Sequence, residues 1–194
     1  MTTQGPDIKA IAQWVKTQVS SARYEHIRGV ARTSLKLASR YKVDRKKAEL
    51  AAWLHDGGKE LSRGAMLEWL RGSALRLDGM EKRMPGLWHP HVGAAIALKK
   101  WKIRDPGVLD AIRCHTLGRP EMGALAQVLF VADFIEPGRT FPGVERARQL
   151  AQKSLAEGVR AKAGMTIRHL LEKGMMIHPR LLDTWNAFLG KDPA

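Results

Sequence analysis

The stretch Leu54-His55-Asp56-Gly57-Gly58-Lys59 sets a histidine and an aspartate side by side where an apolar helix runs out into two glycines. Asp44 can cap that helix, whose interior carries Ala48, Ala51 and Ala52. Outward from it, nearly every periodic segment has helical spacing and none shows strand alternation, so the fold class is all-α. Asp7 can cap a first helix with Ile8, Ile11, Val15 and Val19 on one face. A second, from about Arg23 to Lys42, turns Ile27, Val30, Leu37 and Tyr41 inward, with His26 near its start. Ser62 opens a fourth. Residues 72–88 read as a long loop of the kind used for lids. Pro90 suits the first turn of a helix reaching Trp101, and Asp105-Pro106 opens one that leads to His115. The most apolar helix runs from about Gly123 to Ile135 and contains Asp133. Three helical segments follow, the last from His178-Pro179 to near Phe188.

The chain has 194 residues, enough to bury a core, and shows no repeat, low-complexity tract or linker. It reads as a single domain, 1–194, whose chemistry-bearing core spans about 20–140, with C-terminal helices over about 141–190 packing on it. No apolar run approaches the roughly 20 residues that span a bilayer. The first seven residues carry neither a positive segment nor an apolar one, which reads as no secretory signal. A single cysteine excludes an internal disulfide, and the simple expectation is a cytoplasmic protein. The net charge of +14 suits either a nucleic-acid partner or a small, highly charged phosphate compound. The basic residues are dispersed, with no basic arm and no aromatic-plus-basic RNA motif, so a nucleic-acid partner is disfavoured.

Asp133 lies four residues after Leu129 and eight after Leu125, on the apolar stripe of its helix. A buried carboxylate without a partner costs several kcal/mol, so a cation should meet it, either an arginine or a metal. His115 follows Ile112 by three residues on another inward stripe, and His26 directly precedes Ile27. Imidazoles with carboxylates and no thiolate suit Fe, Mn, Zn, Co or Ni. Cys114 is not needed, because its side chain points about 100° from that of His115.

The order His26, His55-Asp56, Asp133 resembles the HD-domain metal-dependent phosphohydrolases, a helical-bundle fold. Four segments bring the likeness closer: Tyr24-Glu25-His26, residues 55–61, residues 112–120 with His115-Thr116-Leu117-Gly118-Arg119-Pro120, and residues 131–139 with Asp133-Phe134-Ile135-Glu136-Pro137-Gly138-Arg139. They are similar to the YqeK family of symmetrical bis(5'-nucleosyl)-tetraphosphatases, over roughly residues 20–190. The resemblance implies two divalent transition metal ions, usually iron. His26, His55, Asp56 and Asp133 match the ligands of the first. His89 and His115 match those of the second, with Asp56 bridging. The family has a histidine four residues before a glycine, which selects His89 ahead of Gly93. His91, two residues on, points about 200° away and is expected exposed or outside the ligand set. His169 and His178 match no ligand position.

The activity implied is hydrolysis of diadenosine tetraphosphate at its centre, giving two ADP. Two metals can activate water and polarise the phosphoryl oxygen under attack. Asp56 and Lys59 are the candidate catalytic residues. Lys59, four residues after His55 and past the glycines, can reach a phosphate oxygen. Arg119 and Arg139 can clamp phosphate or pair with Glu121 and Glu136, and Thr116 can orient His115 or bind phosphate. Trp53, Trp88 and Phe141 are stacking candidates for a base, each also suited to plain packing. Homodimers are common in the family. The competing readings are an HD phosphohydrolase acting on another nucleotide, such as a dNTP, NDP or signalling nucleotide, a basic nucleic-acid-binding protein with a vestigial site, and an inert bundle with core histidines.

Overall fold

In the structure, a computed structural model that describes residues 6–72 and 77–190, the most apolar helix of the sequence runs through the middle of the protein. Eleven α-helices and one 3-10 turn form, with no strand among the described residues. They are α1 (Ile8–Gln18), α2 (Ser21–Arg40), α3 (Arg45–Leu54), α4 (Arg63–Leu70), α5 (Gly79–Arg83), a 3-10 turn (Pro85–Leu87), α6 (His89–Lys99), α7 (Pro106–Cys114), α8 (Ala124–Ile135), α9 (Val144–Lys153), α10 (Leu155–Glu172) and α11 (Pro179–Ala187). The central one is α8, packed by α2, α3, α7, α9 and α10. Its Val128, Leu129, Phe130, Val131 and Ala132 are fully buried. That environment explains an apolar surface all round instead of on one stripe. Burying Phe130 alone contributes about 1.5–3 kcal/mol.

Helix starts follow local chemistry. Asp7, Ser20, Asp44, Ser62, Asp105 and Ser154 each accept a backbone N–H of the first turn with a side-chain oxygen. The C-terminal helices are integral to the bundle: α9 and α10 pack on α8, and α11 packs on α10. No helix among the described residues is long and apolar enough to cross a membrane.

The stretch expected as a long loop, residues 72–88, is largely structured where it is described. Residues 73–76 lie outside the described residues, as do the first five of the chain. Asp78 and Glu81 form a capping box that starts α5, and the 3-10 turn leads directly into α6. The pattern Asp-x-x-Glu was present in the sequence but lies in a segment too short to show helical periodicity. The segment is anchored to α11. His178 Nε2 reaches Asp78 Oδ2 at 2.9 Å, and Arg180 donates to Asp78 Oδ2 and Glu81 Oε1.

Of the two glycines after α3, Gly58 acts by letting α6 approach, while Gly57 lies against Trp14 of α1. Neither has a positive φ, so they are not a left-handed helix cap. A Cβ on Gly58 would stand 2.5 Å from Val92 Cγ1. From the other side, a Cβ on Gly93 would meet the Leu54 carbonyl oxygen at 2.7 Å and that of His55 at 3.0 Å. The α3–α6 contact at the His55-Asp56 corner therefore depends on missing side chains in both partners. Gly93→Ala is expected to lower unfolding free energy by about 1–3 kcal/mol, the usual cost of overpacking, read from urea denaturation midpoints.

Candidate metal centre

Five elements deliver their side chains to one point. α2 brings His26, the end of α3 brings His55 and Asp56, and the first residue of α6 is His89. His115 stands at the C-cap of α7, and α8 brings Asp133. Asp56 is shared by two clusters, one with His26 and His55 and one with His89 and His115, each with ligand atoms within 4.8 Å of one another. Asp133 Oδ1 lies 3.1 Å from His26 Nε2 and 4.0 Å from His55 Nε2.

Each ring is fixed through its Nδ1. That of His26 meets Glu136 Oε1 at 3.1 Å. Those of His55, His89 and His115 meet the carbonyl oxygens of Ala52, Gly86 and Ile112 at 2.6, 2.6 and 2.7 Å. An oxygen partner requires a donor, so Nδ1 carries the proton and Nε2 is left with its lone pair. All four Nε2 atoms face the Asp56–Asp133 region, those of His55, His89 and His115 with their lone pairs, while His26 has a carboxylate at each ring nitrogen, Glu136 at Nδ1 and Asp133 at Nε2. Burial pushes the pKa of His55 down to about 4 and that of His89 well below the usual imidazole range, so both are neutral.

This arrangement is incomplete with protein atoms alone. His26 Nε2, His55 Nε2 and Asp56 Oδ1 are buried without a hydrogen-bond partner. The Nε2 atoms of His89 and His115 are 3.0 Å apart, a distance at which two lone pairs repel unless a cation lies near them. Thr116 Oγ1 is 3.1 Å from both and has one proton to give. The donor set suits a divalent metal ion.

Other predicted residues divide clearly. Lys59 Nζ is 2.9 and 3.1 Å from the two nitrogens of His89, nearly equidistant and so against the ring instead of along a lone pair. Burial lowers its pKa, opposed by Asp56 and Asp133. Arg139 lies beside Asp133, donating to Oδ1 at 3.0 Å and to the backbone carbonyl. Arg119 is not brought to the cluster. Its guanidinium is held bidentately by Asp110, at 3.2 and 2.9 Å, and not by Glu121. His91 is buried instead of exposed and points away, 2.9 Å from Glu81 Oε1. Cys114 is buried beside Asp110, outside the cluster. Trp53 and Trp88 are core residues. His178 caps α11, while His169 is exposed at the rim of the adjoining cavity. A third acidic group, Asp78, Glu81 and His178, is satisfied internally by Arg180, His91 and backbone N–H groups.

Three participants were missed. Lys162 of α10 is buried and donates to Asp133 Oδ2 at 2.8 Å and to the carbonyls of His115 and Phe130. Burial, the largest influence, raises the pKa of Asp133, but this ammonium together with His26, His55 and His115 outweighs it and holds the carboxyl well below its usual range. Arg23 pairs with Asp56 Oδ2 at 2.9 Å. The sequence offers Glu136 only as a possible partner of Arg139, which lies 3.9 Å away, and its contact with His26 was not foreseen; Gly29 leaves room for its carboxylate. A cavity of about 850 Å³ opens from the cluster and is walled by Arg23, Lys59, Arg139 and the outer half of α10.

The HD domain family matches residues 23–183. A Bacillus subtilis protein named "Bis(5'-nucleosyl)-tetraphosphatase, symmetrical" is 38% identical over 89% of this chain and 92% of its own length. One of the same name from Halalkalibacterium halodurans is 39% identical over 91% and 94%. The chain is an HD-domain protein of the symmetrical bis(5'-nucleosyl)-tetraphosphatase family. A Staphylococcus aureus relative with that name is 35% identical over 94% of both chains. The fold is shared with a crystal structure from Clostridium acetobutylicum, a "predicted HD superfamily hydrolase involved in NAD metabolism", at TM-score 0.91 and 31% identity, covering 97% of this chain and 100% of that one. The HD family and the clusters around Asp56 point together to divalent metal binding.

Lys162→Met is expected to destabilise the protein by about 3 kcal/mol, because it takes the ammonium from Asp133 Oδ2 and from two backbone carbonyls while Arg139 still meets Oδ1. Denaturant unfolding of the variant checks this. The neutral buried histidines set a pH dependence. Below pH 6.5 the unfolded chain protonates His55 and the folded chain does not until about pH 4. The unfolded state thus binds more protons, and the stability of chelator-treated protein is expected to fall from pH 6.5 to 4. Urea midpoints across that window should show a shallower slope in His55→Gln.

Proposed function

We propose that the protein hydrolyses diadenosine tetraphosphate symmetrically to two ADP at a two-metal centre. The observation that carries this is the set of four imidazoles, each tied at Nδ1 with its Nε2 turned to the Asp56–Asp133 region, in a chain whose relatives bear that enzymatic name. His26, His55, Asp56 and Asp133 hold one ion, and Asp56, His89 and His115 hold the other, with Asp56 common to both. Iron is the proposed metal, ahead of Mn, Co, Ni and Zn. Bound ions would supply Lewis acidity toward a phosphoryl oxygen and lower the pKa of water.

The chain's own residues supply the rest. Lys59, Arg23 and Arg139 line the cavity next to the cluster and offset the charge of a polyphosphate. Thr116, within 3.1 Å of two ring nitrogens, has a hydroxyl free to turn toward a phosphate oxygen. Arg119, occupied by Asp110, fixes the end of α7 below His115 and is left out of the substrate contacts. Lys162 keeps Asp133 ionised and orients it from the side away from His26. The surplus of positive charge favours encounter with a polyanion.

Incubation of purified protein with diadenosine tetraphosphate, followed by nucleotide chromatography, is expected to give ADP alone. AMP plus ATP, or no turnover, would overturn the reading, and turnover confined to dNTPs or other nucleotides would redirect it. Chelation should abolish activity and Fe(II) should restore it. Asp56→Ala is expected to lose both turnover and bound metal while keeping its helical circular dichroism.

A further inference from the structure

The cavity extends well past the metal cluster, and its far part is chemically different. One stripe of α10 runs along it from Lys162, through Met165 and Thr166, to His169 and Lys173. At 1.5 Å per residue that stripe leads about 16 Å away from Asp133. The same cavity is lined by Phe134, one residue past Asp133, and by Phe141 in the loop that follows α8. Their rings are 4.7 Å apart between centroids and inclined at 45°, and both are partly exposed.

The loop that carries Phe141 is built to stay in place. Arg148 of α9 donates to the carbonyls of Ile135, Glu136 and Arg139 at 3.0, 2.9 and 2.9 Å. Val144 N–H donates to the Phe141 carbonyl. Gly143 has φ +92°, in the left-handed region, and a Cβ there would stand 3.5 Å from Met165 Cε. The loop therefore closes onto α10 at Met165, three residues past Lys162, which gives the cavity an apolar patch between the cationic rim of the cluster and the polar stretch of Arg168, His169, Glu172 and Lys173. A phenyl ring carries no atom that ligates a metal, so the two rings offer the cavity an apolar face beside the cluster. A nucleoside suits that face: its base has a flat apolar face, and its ribose takes hydrogen bonds of the kind Thr166 and His169 offer next along the stripe.

We propose that Phe141, backed by Phe134 and next to Met165, is the platform on which one nucleobase of the substrate stacks. It places the polyphosphate on the cationic rim beside Asp56. The inference deepens the nucleotide-hydrolase reading and rests on it for the identity of the ligand. Stacking on a ring face is tolerant of base identity, so the platform accepts adenine and guanine alike.

The test compares ADP with pyrophosphate, which has the charge but no base. Calorimetric titrations use metal-loaded wild type, Phe141→Ala and Phe141→Tyr. Phe141→Ala is expected to weaken ADP binding about tenfold, in line with the usual worth of one base–aromatic stack, and to leave pyrophosphate binding unchanged. Phe141→Tyr should retain ADP binding. Equal losses for both ligands, undiminished ADP binding in Phe141→Ala, or a wild type that does not distinguish ADP from pyrophosphate would overturn the platform. Turnover of diadenosine tetraphosphate is scored separately in wild type. Phe141-dependent ADP binding without that turnover would overturn the substrate assignment and uphold the platform, and normal turnover with Phe141-independent ADP binding would do the reverse.

Discussion

Asp56 carries its charge at 3% exposure, and the surrounding structure answers that one demand. An ionised carboxylate at such depth costs several kcal/mol unless cations and donors meet both oxygens. Arg23 meets Oδ2, whereas Oδ1 faces the basic nitrogens of His89 and His115 at 3.3 and 3.5 Å. Electron pairs facing electron pairs leave the oxygen unsatisfied, so the pocket stores a requirement for positive charge. Three of the four rings are set by the same local device. His55, His89 and His115 each sit three residues after the carbonyl that takes their Nδ1 proton. In α3 and α7 that carbonyl belongs to the last turn, where helices leave acceptors unpaired. The ring thus closes the helix end and, by the same bond, turns its other nitrogen to the centre.

In the sequence these residues are marked by the order of motifs shared with the HD family, and this device shows how local chemistry places three of the rings. A histidine at the end of an apolar helix has its partner within its own turn, so neighbouring residues suffice to place it. Asp133 was legible from its place on an apolar stripe, and His26 from its place in the motif order beside Ile27. Lys162 was not. Its burial follows from α10 lying on α8, a contact across about thirty positions, and nothing local distinguishes it from the other lysines and arginines. Arg119 misled in the opposite direction. Its place after His115 suggests a phosphate clamp, but Asp110, within α7, captures it first. The choice between His89 and His91 turned on a partner hidden in the supposed loop. Glu81 belongs to α5, and by holding His91 it fixes the rotation of α6 that sends His89 inward.

The C-terminal helices complete the site from two directions. α10 places Lys162 behind Asp133 and forms the outer wall of the cavity. α11 reaches the opposite side, where Thr184 donates to the Leu117 carbonyl and packs where Gly118 leaves no side chain. Gly118 has φ +67° and closes α7 by donating to the Cys114 carbonyl, so the turn just after His115 is held from below by α11. His178 and Arg180, also on or beside α11, anchor the segment that leads into His89. Residues 20–140 contain the metal-facing donors, but the orientation of at least two of them depends on helices beyond that range.

A cavity with an apolar patch beside a cationic rim suits a substrate that is itself two-fold symmetric. Central cleavage requires only that the scissile bond lie at a fixed distance from one nucleoside. If one base rests on the Phe141 platform and the phosphates run along the cationic rim to the metal cluster, the distance to the middle of the chain is set by that half alone. The second half follows by symmetry and needs no matching shelf. On this view the position of cleavage is measured by the rigid path from Phe141 to Asp56. Arg148 fixes one end of it, at the loop after α8, and the close contact of Gly58 with Val92 fixes the other, at the end of α3.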